Sequence, residues 1–144
     1  MSGKTVVVGM SGGVDSSVAA LLLRNQGYDV MGVTVKLFSD EDIIQAENAQ
    51  KTCCALSDVE DARSVAYKLG FEHLVFNFKD NFKEYVMNQF AESYLCGATP
   101  NPCIECNRHI KFDKMLRRAM ELEYDYIATG HYAINEYDES RKRY

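Results

Sequence analysis

The strongest constraint on this chain is a change of period close to its start. Thr5–Val8 is β-branched and apolar on both faces, the signature of a short buried strand. The strand reading runs to Met10, and the chain leaves it through Gly9-Met10-Ser11-Gly12-Gly13-Val14-Asp15-Ser16-Ser17, with three glycines and three serines. Val14, Val18, Leu21 and Leu22 then repeat at helical spacing, and Gly27 stands where a helix C-terminus wants glycine. A strand that turns through glycine straight into a helix is the first half of a βαβ unit.

The remaining chain keeps the alternation. Tyr28–Phe38 reads as a second strand, with Val30, Val33 and Val35 as β-formers. Asp40–Lys51 is polar and acidic and reads as a surface helix or an insertion. Ser57 and Glu60 form a capping box opening a helix whose Val59, Ala62, Ala66 and Leu69 share a face, ending at Gly70. His73–Phe78 is a third strand. Phe82, Val86, Phe90 and Tyr94 mark an amphipathic helix closing near Gly97, followed by a loop holding Pro100 and Pro102. A further helix is expected from about Asn107 to Leu122, then a fourth strand at Tyr126–Thr129 and one more at Ala133–Tyr137.

The expected fold is α/β: a doubly wound parallel sheet with helices on both faces and right-handed crossovers. Ligands of such sheets sit beyond the carboxyl ends of the strands, at the point where strand order reverses. The glycine loop after strand one and Gly130-His131 after strand four both lie at carboxyl ends, and are expected to face one crevice.

At 144 residues the chain has the size of one domain, with 47% hydrophobic residues for a core. It contains no apolar run long enough for a spanning helix, and its N-terminus lacks the apolar region of a signal peptide. The location expected is cytoplasmic. Five cysteines, two of them adjacent (Cys53, Cys54), favour thiol, metal or catalytic chemistry over a disulfide framework. The net charge of −5 weighs against a general nucleic-acid binder.

Consecutive backbone N–H groups around Gly12 and Gly13, at the positive end of a helix, suit a phosphate. Ser11, Ser16 and Ser17 add hydroxyls. Asp15 repels a phosphate, and so is read as a Mg²⁺ ligand or a helix cap. The Gly-Lys-Ser/Thr ending of a Walker A loop is absent, and so is GxGxxG.

The second chemical stretch is TPNPCIECN, Thr99–Asn107. Prolines stiffen it, and Cys106 lies near the expected helix start, where a thiolate is favoured. Cys103 and Cys106, three apart, suit a redox pair, half a zinc site or ligands of an iron–sulfur cluster; packing cysteines are the plain alternative. Arg108, Lys111, Lys114 and Arg118 recur at helical spacing beyond Cys106. Such a stripe is either a solvated face or a grip for a polyanion. His73 and His109 are read as surface or packing residues.

SGGVDSS resembles the PP-loop of the ATP pyrophosphatase superfamily, which cleaves ATP between the α and β phosphates and transfers AMP to an oxygen. Together with CCALSDVEDAR (53–63), TPNPCIECNRHIKF (99–112) and ATGHY (128–132), in that order and spacing, it resembles the N-terminal domain of the tRNA-specific 2-thiouridylase family. The resemblance covers essentially the whole chain, 1–144, as the ATP-binding catalytic domain of a longer protein whose central and C-terminal domains, and a second essential cysteine, lie further along. It implies ATP and Mg²⁺ at Gly9, Met10, Ser11, Gly12, Gly13, Val14, Asp15 and Ser16, with Val35 (often Met in relatives) and Gly130 lining the nucleotide.

It also implies that Cys106 is the nucleophile, carrying sulfur from a cysteine desulfurase or sulfur-relay protein to C2 of a wobble uridine activated as its adenylate. Asn101, Pro102 and Cys103 match the segment near the target base and His131 a residue that touches tRNA, while Arg108 and Lys111 belong to the basic stripe. Cys103 stands where many relatives have aspartate, and a second thiol there suits a persulfide partner or, with Cys106, a [4Fe–4S] cluster. Two other readings differ in class: a PP-loop ligase of small-molecule metabolism, which needs no cysteine loop, and a non-catalytic iron–sulfur or metal-binding RNA module.

Overall fold

The computed structural model describes residues 3–38 and 56–144. The expectations for Asp40–Lys51 and for Cys53-Cys54 lie outside these residues. The elements run β1 (Thr5–Gly9), α1 (Val14–Asn25), β2 (Asp29–Lys36), α2 (Leu56–Leu69) and β3 (His73–Asn77). Next comes one continuous helical stretch: α3 (Lys79–Phe82), a π-helical segment π1 (Lys83–Met87) and α4 (Asn88–Leu95). A second stretch joins α5 (Pro102–Glu105), π2 (Cys106–Lys114) and α6 (Met115–Glu121), and β4 (Tyr126–Thr129) follows.

All strand pairs are parallel, in the order β3-β2-β1-β4. The chain steps outward from β1 to β2 to β3, then returns to the opposite side of β1 for β4. Strand order therefore reverses at β1, which is the doubly wound arrangement read from the sequence.

Consecutive residues of a strand face opposite sides, so β1 must be apolar throughout if both faces are covered. Val6 and Val8 pack with Met10, Val30, Ala20 of α1 and Ala62 of α2. Val7 points the other way, with Met31, Val33 and Phe76 against Met115 and Ala119 of α6. None of Val6, Val7 and Val8 is more than 1% exposed. Burial of each contributes about 1.5–3 kcal/mol. The strand starts are clamped as well: Thr5 N and Oγ1 both donate to Asp125 Oδ2 at 2.9 Å, and Asp125 N donates back to Thr5 Oγ1 at 3.0 Å.

Four local expectations change. α2 already includes Leu56, so Ser57 sits inside the helix and cannot be its extended N-cap residue. The helix expected from Asn107 starts five residues earlier at Pro102: Asn101 Oδ1 accepts from Cys103 N at 3.1 Å as the cap, and proline at the first helical position is a start signal rather than a loop signal. Ala133–Tyr137 forms no strand; Ile134 is exposed, and only the bridge Asp138↔Arg143 forms beyond it, because alternation without a partner strand buries nothing. In the helix 79–95, Val86 is buried, but Phe90 and Tyr94 are exposed and stack on each other at 6.0 Å. The wider turn of π1, where Asn88 N donates to Lys83 O, rotates the residues after it off the face set by Phe82.

Candidate functional site

The loop between β1 and α1 is built by its own hydroxyls. Ser16 is 4% exposed; its Oγ donates to Gly13 O at 3.1 Å and accepts from Ser11 N at 3.3 Å. Ser17 Oγ donates to Gly13 O at 2.9 Å. These two serines are therefore used to shape the loop, whereas the sequence reading had offered them to the ligand. α1 is capped by Gly13 with no side-chain cap bond, so the first-turn N–H groups point out of the helix end without an intrahelical acceptor. Asp15 is not the cap; it lies in the first turn and is exposed.

Two glycines are required by close approach. Gly12 has φ +76, and a Cβ there would lie 2.7 Å from Asp58 O. Gly130, directly after β4, would place a Cβ 2.6 Å from Ser16 N and 2.9 Å from Asp15 C. Gly9 pairs with Thr129 in the β1–β4 register, so the two loops leave the sheet side by side at the switch point. The glycine loop and Gly130-His131 are thus neighbours at the carboxyl ends of β1 and β4.

Sequence reasoning missed one member of this site. Tyr132 Oη donates to Asp15 Oδ1 at 2.7 Å. The hydrogen bond and the carboxylate charge push the Tyr132 phenol pKa up. A contact between residues 117 apart leaves no local pattern to read. His131 lies on the other side of the loop, its Nδ1 2.8 Å from Thr129 Oγ1 and its ring 5.6 Å from that of Phe112. Burial and then the nearby Lys111 push its pKa down.

Val35 lies where β2 has run past β1: the β1–β2 pairing ends at Gly9↔Val33, while Val35 still pairs with Phe76 on the far side. Its side chain is half-buried and packs against two core clusters.

Cys106 is the fifth residue from Pro102, beyond the first turn where the field of a helix N-terminus acts. It is 8% exposed and packs with Leu37, Val86 and Ile110, against which Val35 also packs. The structure thus brings Cys106 and Val35 to one apolar cluster beyond the carboxyl end of β2. Cys103, one turn before it, is exposed, as are Asn101 and Pro102. Asn107 Oδ1, next to Cys106, is buried with no hydrogen-bond partner among the described residues.

Among the described residues no three or more His, Cys, Asp or Glu side chains gather as a metal site. Cys103 and Cys106 alone are fewer than the four ligands of an iron–sulfur cluster.

The basic stripe changes most. Residues 106–114 are π-helical, and the wider turn of i→i+5 pairing takes residues three apart, such as Arg108, Lys111 and Lys114, out of line. Arg108 pairs with Glu105 at 3.5 Å, Arg117 with Asp113 at 2.5 Å and Arg118 with Glu121 at 2.7 Å, while Lys114 lies over the Tyr85 ring at 5.6 Å. The cations are a mixed, largely paired surface rather than one face. His109 stacks on Tyr85 at 5.1 Å and lies 3.2 Å from Glu105. No helix among the described residues is long and apolar enough to cross a membrane.

A doubly wound parallel sheet with a glycine loop and a neighbouring Gly-His-Tyr turn at its switch point defines an α/β domain of the adenine nucleotide α-hydrolase-like fold. The chain belongs to the family described as tRNA methyl transferase HUP domain, whose model matches residues 4–144. It is 57% identical over 141 residues to the tRNA-specific 2-thiouridylase MnmA of Clostridioides difficile (98% of this chain, 38% of that protein). To the MnmA of Acetivibrio thermocellus it is 56% identical over 144 residues (100% and 40%). The chain spans about two fifths of the length of these curated relatives.

Among solved structures it is similar to a predicted subunit of tRNA methyltransferase from Methanocaldococcus jannaschii, with a TM-score of 0.55 and 23% identity, covering 95% of this chain and 59% of that one. It is also similar to a glutamine-dependent NAD+ synthetase from Acinetobacter baumannii in complex with ADP, with a TM-score of 0.54 and 16% identity, covering 87% and 21%. At these identities the likeness is one of fold.

Proposed function

We propose that this chain is the adenylating domain of a tRNA 2-thiouridylase. The observation that carries the reading is the approach of Gly130 to the first turn of α1, which brings the loop Gly9–Ser16 and the turn Gly130–Tyr132 side by side at the switch point. The names of the relatives supply the substrate class.

ATP lies with its β and γ phosphates against the N–H groups of Gly12–Asp15, and backbone at Val35 and Gly130 borders the nucleoside. Asp15, oriented by Tyr132, is the residue to hold Mg²⁺, which offsets phosphate charge. The C2 oxygen of a wobble uridine attacks the α-phosphorus and pyrophosphate leaves; the adenylated oxygen is then a good leaving group. The outer sulfur of a Cys106 persulfide attacks C2 and AMP departs, leaving a disulfide between Cys106 and the base. A second thiolate, from the cysteine further along the full-length chain, attacks the Cys106 sulfur, releases the 2-thiouridine and leaves a protein disulfide that an external thiol reduces. Asn101, Pro102 and Cys103 border the base, and His131, with Arg108 and Lys111, contacts the tRNA. A desulfurase or relay protein supplies the sulfur.

The buried position of Cys106 requires the segment around Pro102–Lys114 to open for this transfer.

The test is mass spectrometry of tRNA incubated with the full-length protein, Mg–ATP and a sulfur source. Wild type is expected to exchange one oxygen for sulfur at the wobble uridine, and Cys106→Ala and Asp15→Ala each to abolish it. Thiolation undiminished in both variants overturns the assignment. Adenylation that ignores tRNA and survives Cys106→Ala points instead to a small-molecule ligase.

A further inference from the structure

β2 carries a buried threonine at its carboxyl end. Thr34 is 1% exposed, and its Oγ1 donates to Met10 O at 2.9 Å. A hydroxyl has one proton, so the second neighbour of that oxygen, His73 Nε2 at 2.9 Å, must be the donor. The imidazole is therefore the Nε2–H tautomer. Its Nδ1 is a bare acceptor, buried, with no partner among the described residues. Burial, and then the Arg63 charge, push its pKa down.

Met10 is the residue with which the chain leaves β1 for the glycine loop, and its N–H is already held by Val33 O at 2.7 Å. Packing converges on the same place. A Cβ on Gly32 would lie 2.8 Å from Met10 Sδ, 3.1 Å from Phe71 Cε2 and 3.2 Å from His73 Cδ2. The bare backbone at Gly32 thus seats the Met10 side chain and the His73 ring together over β2, where Gly32 and His73 are register partners.

We propose that His73 is a positioning residue for the nucleotide loop, fixing the Met10 carbonyl through Thr34 and so setting the direction in which the loop's amides leave the sheet. The proposal rests on the reading of Gly9–Ser16 as a phosphate cradle. His73 touches no ligand; it sits two strands away from the loop and acts through β2. An amide aimed at a phosphate loses strength steeply with misalignment, so a loop root free to turn binds less well even when the fold is intact.

The experiment is calorimetric titration of Mg–ATP into this chain and into His73→Leu, His73→Gln, Thr34→Val and the Leu/Val double variant, with a thermal melt of each. Glutamine places an amide N–H near the position of Nε2 and keeps the relay. His73→Leu and Thr34→Val are each expected to raise the ATP dissociation constant about fivefold or more. The double variant is expected to be no worse than either single one, and His73→Gln to bind within about twofold of wild type. ATP affinity unchanged in His73→Leu, or lost equally in His73→Leu and His73→Gln, overturns the proposal and leaves a merely structural histidine. Wild type that binds no nucleotide overturns the phosphate reading itself, and this proposal with it. If His73→Leu does not fold, the near-isosteric Thr34→Val reports on the same link.

Discussion

Tyr132 and Asp15 are 117 residues apart and joined by a 2.7 Å hydrogen bond from the phenol to the carboxylate. The bond ties the turn after β4 to the first turn of α1. It also orients the one acid of the glycine loop, in a place where a free carboxylate would repel a phosphate. Tyr132→Phe removes this hold and little packing, since Tyr132 is 90% exposed. Its Mg–ATP affinity is expected to fall roughly three- to tenfold with an unchanged melting temperature. Calorimetry at fixed magnesium reads it directly. Equal affinity would show that Asp15 needs no orientation.

Gly130 and Gly12 are required by backbone proximity. In Gly130→Ala the new methyl meets Ser16 N and Asp15 C, neither of which can move without shifting α1. A cost of about 1–3 kcal/mol in urea denaturation is expected, together with loss of nucleotide binding. Gly12→Ala adds strain at φ +76 to its contact with Asp58. Gly27→Ala, where φ is +87 but nothing lies within 4 Å, is the control: it should destabilise and leave binding intact.

The parts legible in the sequence are those decided by local period. Val6–Val8, buried on both faces, and Tyr126–Thr129 lie where the alternation put them, and from these the sheet and its switch point follow. What was hidden depends on the third dimension. Pro102 looks the same in a loop and at a first helical position until Asn101 is seen to cap Cys103 N. The basic stripe assumed 3.6 residues per turn, which π2 does not have. Ala133–Tyr137 alternates but meets no partner strand. Ser16 and Ser17 could be read as donors to a ligand because a sequence does not show that Gly13 O already takes both. The place of Gly130 after the fourth strand, beside the glycine loop, is legible in the sequence; the reason it must be glycine, the approach of Ser16 N, needs the structure.

Two histidines make stability depend on pH. Burial lowers the pKa of His73 and of His131 in the folded chain, with Arg63 and Lys111 respectively adding to it. The unfolded chain therefore takes up protons first as pH falls. Stability should be at its full value above the unfolded histidine pKa, about 6.5, and decline as pH drops below it. Chemical denaturation at about pH 7.5 and 5.5 measures the difference. His73→Gln should flatten the dependence; a steeper fall at low pH in that variant would contradict the assignment.

Cys96 and Cys103 are exposed and Cys106 is buried. Pulsed alkylation with residue-resolved peptide mapping should label the first two quickly and Cys106 slowly in the free protein. Addition of Mg–ATP and substrate tRNA to the full-length protein should raise the Cys106 rate if the π2 segment opens for sulfur transfer. A Cys106 that alkylates as fast as Cys103 in the free chain would mean that no opening is needed.

The most direct test of the central claim, that the backbone after β1 holds a nucleotide's phosphates, is an amide NMR titration of this chain with Mg–ATP. The account predicts that the largest shifts fall on Ser11–Ser16 and Gly130, with Met10 and Val35 at the margin. Saturating nucleotide that leaves those amides unmoved, or moves only residues away from the β1–β4 switch point, would contradict it.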